Sequence, residues 1–180
     1  MNRGQVLLVV AALALLSTLE VSINSTLLRA SMSTYDSEAG IEAVSVAQAM
    51  IDEMLTQAYD SVTVSQLVTN PTKFTSYLKL GADIDSEKTV TAYEREPFKS
   101  QVKFNDVDDY NGYSRIVSSP YLGDFTVRDS IYYVSESDQT TYTSTQTWYK
   151  KIVVRVSHPN LIYPVMLKSM VVYRKYIPPS

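Results

Sequence analysis

Residues 5–28 of this 180-residue chain read QVLLVVAALALLSTLEVSINSTLL, and this stretch decides the fold. From Val6 to Leu16 it contains no polar side chain, and the first proline of the chain is Pro71. Ala, Leu, Glu, Gln and Met, which favour helices, fill the sequence up to about residue 60. We therefore predict one helix of about fifty-five residues, which is roughly 80 Å long at a rise of 1.5 Å per residue.

The middle of this helix allows two interpretations. It either bends near Gly40, which we favour, or breaks there, with Asp36 or Ser37 capping a second helix. Beyond this point apolar residues recur on one face with helical spacing and polar residues occupy the other face. The apolar face consists of Val44, Ala47, Ile51, Met54 and Ala58, and the polar face of Glu42, Ser45, Asp52 and Thr56. The helix therefore has a hydrophobic protruding part, residues 5–28, and an amphipathic part, residues 29–60.

Residues 61–180 have the pattern of a β-rich globular head. Alternating polarity with β-branched and aromatic residues predicts strands that have one buried face. The strong candidates are GDFTVRDSIYYV (123–134), TWYKKIVVRVSH (147–158) and YPVMLKSMVVYRKY (163–176), with a register change near Ser169 in the last. The minor candidates are strands at KTVTAY (88–93) and SQVKF (100–104), and a short helix in NPTKFTSYLKLG (70–81) that Gly81 ends.

Consecutive strands joined by loops predict an antiparallel meander. In the central strand Ile152, Val154 and Val156 point one way, and Lys151, Val153 and Arg155 point the other. The apolar face of such a sheet needs a cover, which the amphipathic part of the helix can supply. The predicted fold is therefore α+β, a long N-terminal helix whose C-terminal half packs on an antiparallel sheet.

Charge and composition exclude several functions. Residues 1–60 hold two cations and seven anions, and the remainder holds fourteen cations and twelve anions, so no strongly basic region predicts nucleic-acid binding. Cysteine is absent, which excludes thiolate chemistry. His158 is the single histidine, we expect it in a surface turn, and no Gly-x-Ser-x-Gly or glycine-rich phosphate loop accompanies it. We predict that the chain is not an enzyme.

Three interpretations of the apolar stretch compete. A secretion signal needs a cleavage site of the Ala-x-Ala type, which LLSTLEVSIN lacks. A single-pass membrane anchor needs about 20 apolar residues, and residues 5–28 are long enough with Glu20 near the far interface. In the third interpretation the helix packs against copies of itself, with the small residues Ala11, Ala14 and Ser17 allowing close approach.

The third interpretation also comes from a resemblance. The leader MNRG (residues 1–4), followed directly by an uninterrupted apolar helix, resembles the N-terminus of type IV pilins and of the pseudopilins of type II secretion. The resemblance implies cleavage by a prepilin peptidase between Gly4 and Gln5. It also implies a helix that resides first in the cytoplasmic membrane and then in a filament core, and a head with an antiparallel sheet.

The sequence departs from the family pattern at three places. The family's glutamate at the fifth position after the cleavage site is replaced by Val9, and the first acidic residue is Glu20. The family's proline within the helix is missing, and the first residue after the cut is Gln5 instead of Phe or Met. Without the early glutamate, neighbouring subunits need another group to recognise each other. Arg3 is 17 residues before Glu20, about 25 Å along a helix, so the two can pair only between subunits.

The resemblance implies a structural subunit of an extracellular type IV pilus-like filament. We expect it at the cell surface, with a pool in the cytoplasmic membrane before assembly, and with the prepilin peptidase and inner-membrane assembly machinery as partners. The filament core would consist of Val6, Leu7, Val10, Leu13, Leu16, Leu19, Glu20, Ile23 and Leu27. The alternatives are a minor pseudopilin of a type II secretion-like system and a membrane-tethered surface binding module with an uncleaved anchor.

One segment offers oxygen ligands for a cation. DVDDYNG contains Asp106, Asp108, Asp109 and Asn111, and clustered carboxylates suit Ca²⁺. The spacing fails the EF-hand pattern, because with Asp106 at position 1 the obligatory glycine position falls on Asn111. Asp and Asn-Gly clusters also make ordinary turns. We expect no cofactor, with calcium at these four residues as the one candidate.

Overall fold

The computed structural model of the protein describes residues 2–82 and 94–174. The chain forms two compact units, Met1–Glu38 and Ala39–Ser180. The fold is α+β, as predicted, with one long helix and an antiparallel sheet. The helices are α1 (Arg3–Leu55), α2 (Ser61–Ser65) and α3 (Ser100–Lys103), and the strands are β1 (Ser114–Ser119), β2 (Gly123–Val134), β3 (Tyr142–Thr143), β4 (Tyr149–Ser157) and β5 (Val165–Val172).

Helix α1 runs without interruption for 53 residues, so the single long helix is confirmed and the alternative break at residues 36–40 is wrong. It ends at Leu55, which leaves Ala58 outside the helix although the periodicity placed it on the apolar face. The reason is a competing set of backbone contacts. Ala58 forms a parallel bridge with Asp106, and the side chain of Asp60 caps α2 by accepting a hydrogen bond from the backbone N–H of Val62.

The buried face of α1 is confined to its last turns. Its buried residues are Ala39, Ala43, Val46, Ala47, Met50, Ile51 and Met54. The prediction is right for Ala47, Ile51 and Met54 and wrong for Val44, which is 45% exposed. The face is set by alanines spaced four residues apart, and Val44 follows Ala43 by about 100° around the helix, which turns it to solvent.

The sheet has the strand order β1-β2-β4-β5, all antiparallel, with β3 paired to β2. The three strong strand candidates are confirmed, and the predicted alternation in β4 holds, with Ile152, Val154 and Val156 fully buried. The predicted register change near Ser169 is wrong. Strand β5 pairs with β4 in unbroken register from Val165 to Val172, because the hydrogen-bonded ladder keeps one pleat throughout.

Two minor predictions are wrong. The first four residues of SQVKF form α3 and not a strand. Phe104, the last residue of the segment, packs edge-on against Tyr110 and Tyr113 instead of joining the sheet. NPTKFTSYLKLG forms two short 3₁₀ turns, Pro71–Lys73 and Tyr77–Lys79, because Phe74 between them turns into a core cluster. The candidate strand at residues 88–93 lies outside the described residues.

The core lies between the last turns of α1 and one face of the sheet. Phe125, Val127 and Ile131 of β2 and the inner residues of β4 join the buried residues of α1 in one cluster. A second, smaller cluster contains Tyr59 and Tyr133. Charged residues also lie within this interior, and they form the second candidate site described below.

Candidate functional site

The first candidate site is the apolar segment of α1 within Met1–Glu38. Every side chain from Asn2 to Tyr35 is exposed, and an 18-residue window has a mean hydropathy of 2.4 with no residue buried. By length and composition the helix can cross a membrane. The predicted filament-core residues Val6, Leu7, Val10, Leu13, Leu16, Leu19, Ile23 and Leu27 are between 46% and 72% exposed, and Glu20 is exposed as well. A large exposed apolar surface is typical of segments that contact lipid or other protein.

Four of the five hydroxyl groups of this segment bond to its own backbone. Ser17 donates to the carbonyl oxygen of Leu13 at 2.9 Å, and Thr18 donates to that of Leu15 at 2.8 Å. Ser25 and Thr26 both donate to the carbonyl of Ser22 at 2.9 Å. A hydroxyl that returns to its own helix needs no water, so these residues are compatible with a dry environment.

Arg3 and Glu20 are both exposed, and within the described part of the chain the structure shows no ion pair between them. Both lie on the continuous helix α1, 17 residues apart, which corresponds to about 25 Å along the helix axis. Glu20 is the only charged side chain between Arg3 and Arg29. If lipid or another protein covers this segment, Glu20 is therefore the side chain that most needs a partner for its charge.

The candidate processing site is helical. Gly4 lies in the first turn of α1 with open space where a Cβ would be, so nothing in the described structure requires glycine there. The side-chain oxygen of Gln5 accepts a hydrogen bond from the backbone N–H of Asn2 at 3.1 Å. The glycine is thus unexplained by conformation or packing.

The second candidate site contains the predicted calcium ligands. Asp106, Asp108 and Asp109 are buried, and the structure uses their oxygens internally. Asp109 Oδ2 accepts from the backbone N–H of Asn105 at 2.9 Å, and Asp106 Oδ1 accepts from that of Asp109 at 3.2 Å. Among the described residues no group of three or more acidic, histidine or cysteine side chains is arranged to hold a metal ion.

The fourth predicted ligand, Asn111, points elsewhere. Its Oδ1 accepts from the backbone N–H of Ile131 at 3.0 Å, and its Nδ2 donates to the carbonyl of Leu80 at 3.2 Å. The amide thus fastens the turn to strand β2. The structure brings the three aspartates together but gives Asn111 a separate structural task.

Lys150 of β4 is the central group of this site and is not among the residues predicted from the sequence. Its side chain is fully buried, and Nζ donates to Asp108 Oδ1 at 2.7 Å, to the carbonyl of Tyr59 at 2.7 Å and to Asp60 Oδ2 at 3.0 Å. Nζ also lies 4.5 Å from the ring centroid of Tyr59 and 5.4 Å from that of Tyr133. The sequence did indicate an inward-pointing side chain, because Lys150 falls on the same alternating positions of β4 as Ile152, Val154 and Val156.

The acidic groups around Lys150 differ in their surroundings. Burial, and next the charge of Asp108 and a hydrogen bond to it, raises the pKa of Asp106 well above its usual range, while Lys150 opposes the rise. Asp60 is held by donors on both oxygens, including the backbone N–H groups of Val62 and Thr75. The site therefore combines an amine, a carboxylate held by backbone donors and a carboxyl group that favours its neutral form.

A second polar group fastens α1 to the sheet. Glu53 Oε2 accepts from Arg115 Nη1 at 2.7 Å, and Glu53 Oε1 accepts from the hydroxyls of Ser100 and Tyr110. Near this group the carboxylate of Asp129 is buried without a hydrogen-bond partner among the described residues. Burial raises the pKa of Asp129 well above its usual range, the charge of Arg115 opposes the rise and that of Glu53 adds to it.

His158 is in a turn, as predicted, but it is not on the surface. The residue is 8% exposed, and its ring stacks on Phe125 with centroids 4.3 Å apart. Nε2 bonds to the carbonyl of Leu122 at 2.9 Å, and Nδ1 accepts from the backbone N–H of Asn160 at 3.1 Å. Both ring nitrogens thus have structural partners.

Comparison of the sequence and the fold with known proteins gives no match to a family model, to a curated protein or to a solved structure.

Proposed function

We propose that this chain is a structural subunit of an extracellular type IV pilus-like filament that polymerises through its N-terminal helix. The observation that carries the proposal is the division of one continuous helix. Residues up to Tyr35 expose an apolar surface, whereas residues from Ala39 to Met54 supply a buried face to the core. A helix with one half committed to its own head has the other half available for copies of itself.

Two further observations support the proposal. The hydroxyls of Ser17, Thr18, Ser25 and Thr26 bond within the helix, so these four groups can pass from lipid to a dry helical bundle without losing hydrogen bonds. No contact or backbone conformation in the described structure requires glycine at position 4, and recognition by a processing peptidase would account for it. Cleavage after Gly4 would place a new α-amino group on Gln5.

Glu20 is the proposed determinant of axial register between subunits. A carboxylate is costly among apolar helices unless it has a partner, and Arg3 or a free amino group on Gln5 of a neighbouring subunit supplies one. The neighbour would be shifted by about 22–25 Å along the helix axis. The ion pair of Glu20 with a neighbouring subunit would then replace the pairing made by the family's earlier glutamate.

The proposal is tested by electron microscopy of material sheared from the cell surface, combined with N-terminal sequencing of the subunit. We expect fibres composed of this protein with Gln5 as first residue. Leu16→Glu, which adds a charge to the apolar segment, should abolish them. Leu78→Glu is the matched control, because Leu78 is a leucine of the head that is 92% exposed.

The other outcomes identify the alternatives. A chain processed after Gly4 that is present at the tip of fibres made of another protein is a minor pseudopilin or minor subunit. An unprocessed chain that remains in the membrane with no fibres is a tethered module. Either result contradicts the proposal of a major filament subunit.

A further inference from the structure

The buried lysine site has the components of a covalent cross-link. Lys150 Nζ is 2.7 Å from Asp108 Oδ1, and the carboxyl carbon of Asp108 is one bond from that oxygen. Both side chains are almost completely inaccessible to solvent. We propose that Lys150 and Asp108 condense into an amide bond, an intramolecular isopeptide that joins β4 to the turn Asp108–Tyr110. This inference concerns the head alone and does not depend on the proposed function.

The burial of the site favours the condensation. An ammonium and a carboxylate lose their hydration in the interior, and their mutual attraction only partly offsets that loss. A neutral amide in the same place removes both charges. The rings of Tyr59 and Tyr133 beside Nζ keep water away from the reacting atoms, so the product is shielded from hydrolysis.

The two neighbouring acids have distinct tasks. Asp60 Oδ2, 3.0 Å from Nζ, is a carboxylate fixed by backbone donors and can take a proton from the ammonium. Asp106 is buried beside Asp108, and burial together with the charge of Asp108 raises the pKa of Asp106, so it can donate a proton to the carboxyl oxygen of Asp108. An amine beside one acceptor of protons and a carboxyl beside one donor is the arrangement that general acid–base catalysis of amide formation needs.

Asp108 is preferred over Asp60 as the carbonyl partner for two reasons. Its oxygen is closer to Nζ, 2.7 Å compared with 3.0 Å. The oxygens of Asp60 are already engaged by the backbone N–H groups of Val62 and Thr75, whereas Asp106 lies beside Asp108 and can activate it.

The step is balanced without an oxidant or co-substrate. The new bond joins Lys150 Nζ to Asp108 Cγ, and one C–O bond of Asp108 breaks. The nitrogen gives up two protons, which leave with the carboxyl oxygen as water, and Asp60 and Asp106 return to their starting protonation states. The amide N–H can keep the carbonyl of Tyr59 as acceptor, and Asp60 Oδ2, which loses Nζ as a donor, keeps the backbone N–H of Thr75.

The bond is detected by tryptic digestion and mass spectrometry of the purified full-length protein. Because trypsin does not cleave after a modified lysine, we expect a branched peptide made of residues 104–115 and 129–151, lighter than the sum of the two by one water. A linear peptide that ends at an unmodified Lys150, with no branched form, overturns the proposal. A branch to residues 30–73 also overturns it, because the acceptor would then be Asp60.

Variants test the assigned tasks. Asp108→Asn should give the same branched peptide, because the amide then forms with loss of ammonia in place of water. Asp106→Asn keeps the shape but removes the acid, and should leave Lys150 unlinked. Lys151→Met is the control next to Lys150 and should keep the branch, extended to Arg155. An unfolded variant does not affect the test, because the native protein alone decides whether the bond exists.

Discussion

Glu53, in the last turn of α1, and Arg115, in β1, are joined by an ion pair in which Nη1 lies 2.7 Å from Oε2. The two side chains are 16% and 6% exposed, and the guanidinium carbon of Arg115 also lies 4.3 Å from the ring centroid of Phe98. Glu53 accepts two further hydrogen bonds, from the hydroxyls of Ser100 and Tyr110. This one carboxylate thus joins helix α1, helix α3, the 3₁₀ turn Asp108–Tyr110 and the sheet.

Replacing Glu53 by Ala should destabilise the head by about 3 kcal/mol, because it leaves the charge of Arg115 buried without a partner. Urea denaturation followed by tryptophan fluorescence measures the change. Glu42→Ala, on the same helix but outside the buried face, should change stability by less than about 0.5 kcal/mol. Equal effects of the two substitutions would contradict the assigned role.

Acid should weaken the same contact. Burial raises the pKa of Glu53, but the hydrogen bonds from Arg115 and Ser100 and the charge of Arg115 outweigh burial, and the net pKa is lowered. A lowered pKa gives stability that is present above the unfolded value of about 4.3 and lost as the pH falls through the folded value. The stability difference between wild type and Glu53→Gln should therefore shrink below about pH 4.

Asp129→Asn should stabilise the protein at alkaline pH. The pKa of Asp129 is raised in the folded state. The contribution of Asp129 to the free energy of unfolding is therefore full below its unfolded pKa of about 3.9, and it is lost as the pH rises through its folded pKa. Urea denaturation should show a gain for the variant that is at least about 1 kcal/mol larger at pH 8 than at pH 5. A gain independent of pH would exclude this explanation.

The exposed Asp138 gives the contrasting control for that experiment. Hydrogen bonds from Thr140 and Thr141 lower the pKa of Asp138 to about 2. Its contribution is present above the unfolded value and is lost only in stronger acid. The effect of Asp138→Asn should therefore be the same at pH 5 and pH 8.

Deleting residues 1–28 should give a soluble, monomeric, cooperatively folded head, because the first buried residue of α1 is Ala39. Size-exclusion chromatography and thermal unfolding measure this. A longer deletion that begins the chain at Gln48 removes Ala39, Ala43, Val46 and Ala47 from the core and should abolish cooperative unfolding. Loss of folding in the shorter deletion would show that the head needs the apolar segment.

Glu20→Gln should reduce the number and length of fibres if Glu20 sets the register between subunits. The substitution keeps the side-chain volume and removes the charge, so the full-length variant purified in detergent should unfold at the same temperature as wild type. Fibre counts in electron micrographs measure the effect. Unchanged fibres would limit Glu20 to a position at the membrane surface and remove it from the assembly mechanism.

Calcium should leave the melting temperature unchanged, as should EDTA. The oxygens of Asp106, Asp108 and Asp109 have partners within the head, and Asn111 bonds to Leu80 and Ile131. A cation would have to displace Lys150 or break those bonds. A rise in melting temperature that saturates with added calcium would restore the calcium site.

The sequence predicted the elements that have a strong period of their own. Strands β2 and β4 are predictable from their spacing, because each buries one face along most of its length. Helix α1 is predictable because no proline interrupts its helix-favouring residues. SQVKF was mistaken for a strand because a five-residue apolar alternation does not distinguish a strand from a helical turn. Val44 was misplaced because the helix turns its alanines, and not its largest apolar residues, toward the sheet.

The candidate sites divide in the same way. The exposed apolar segment is a property of consecutive residues and was predictable. The site around Lys150 depends on contacts between residues 42 and 90 positions apart, which no local pattern encodes. Only the parity of Lys150 with Ile152 and Val154 indicated that its side chain points inward.

The uninterrupted course of α1 has a mechanical consequence. Within Ala39–Ser180, a tensile load along the last turns of α1 is carried by the stripe from Ala39 to Met54, whose contacts with the sheet share it in shear. Glu53, at the far end of that stripe, passes it through Arg115 to the first strand of the sheet.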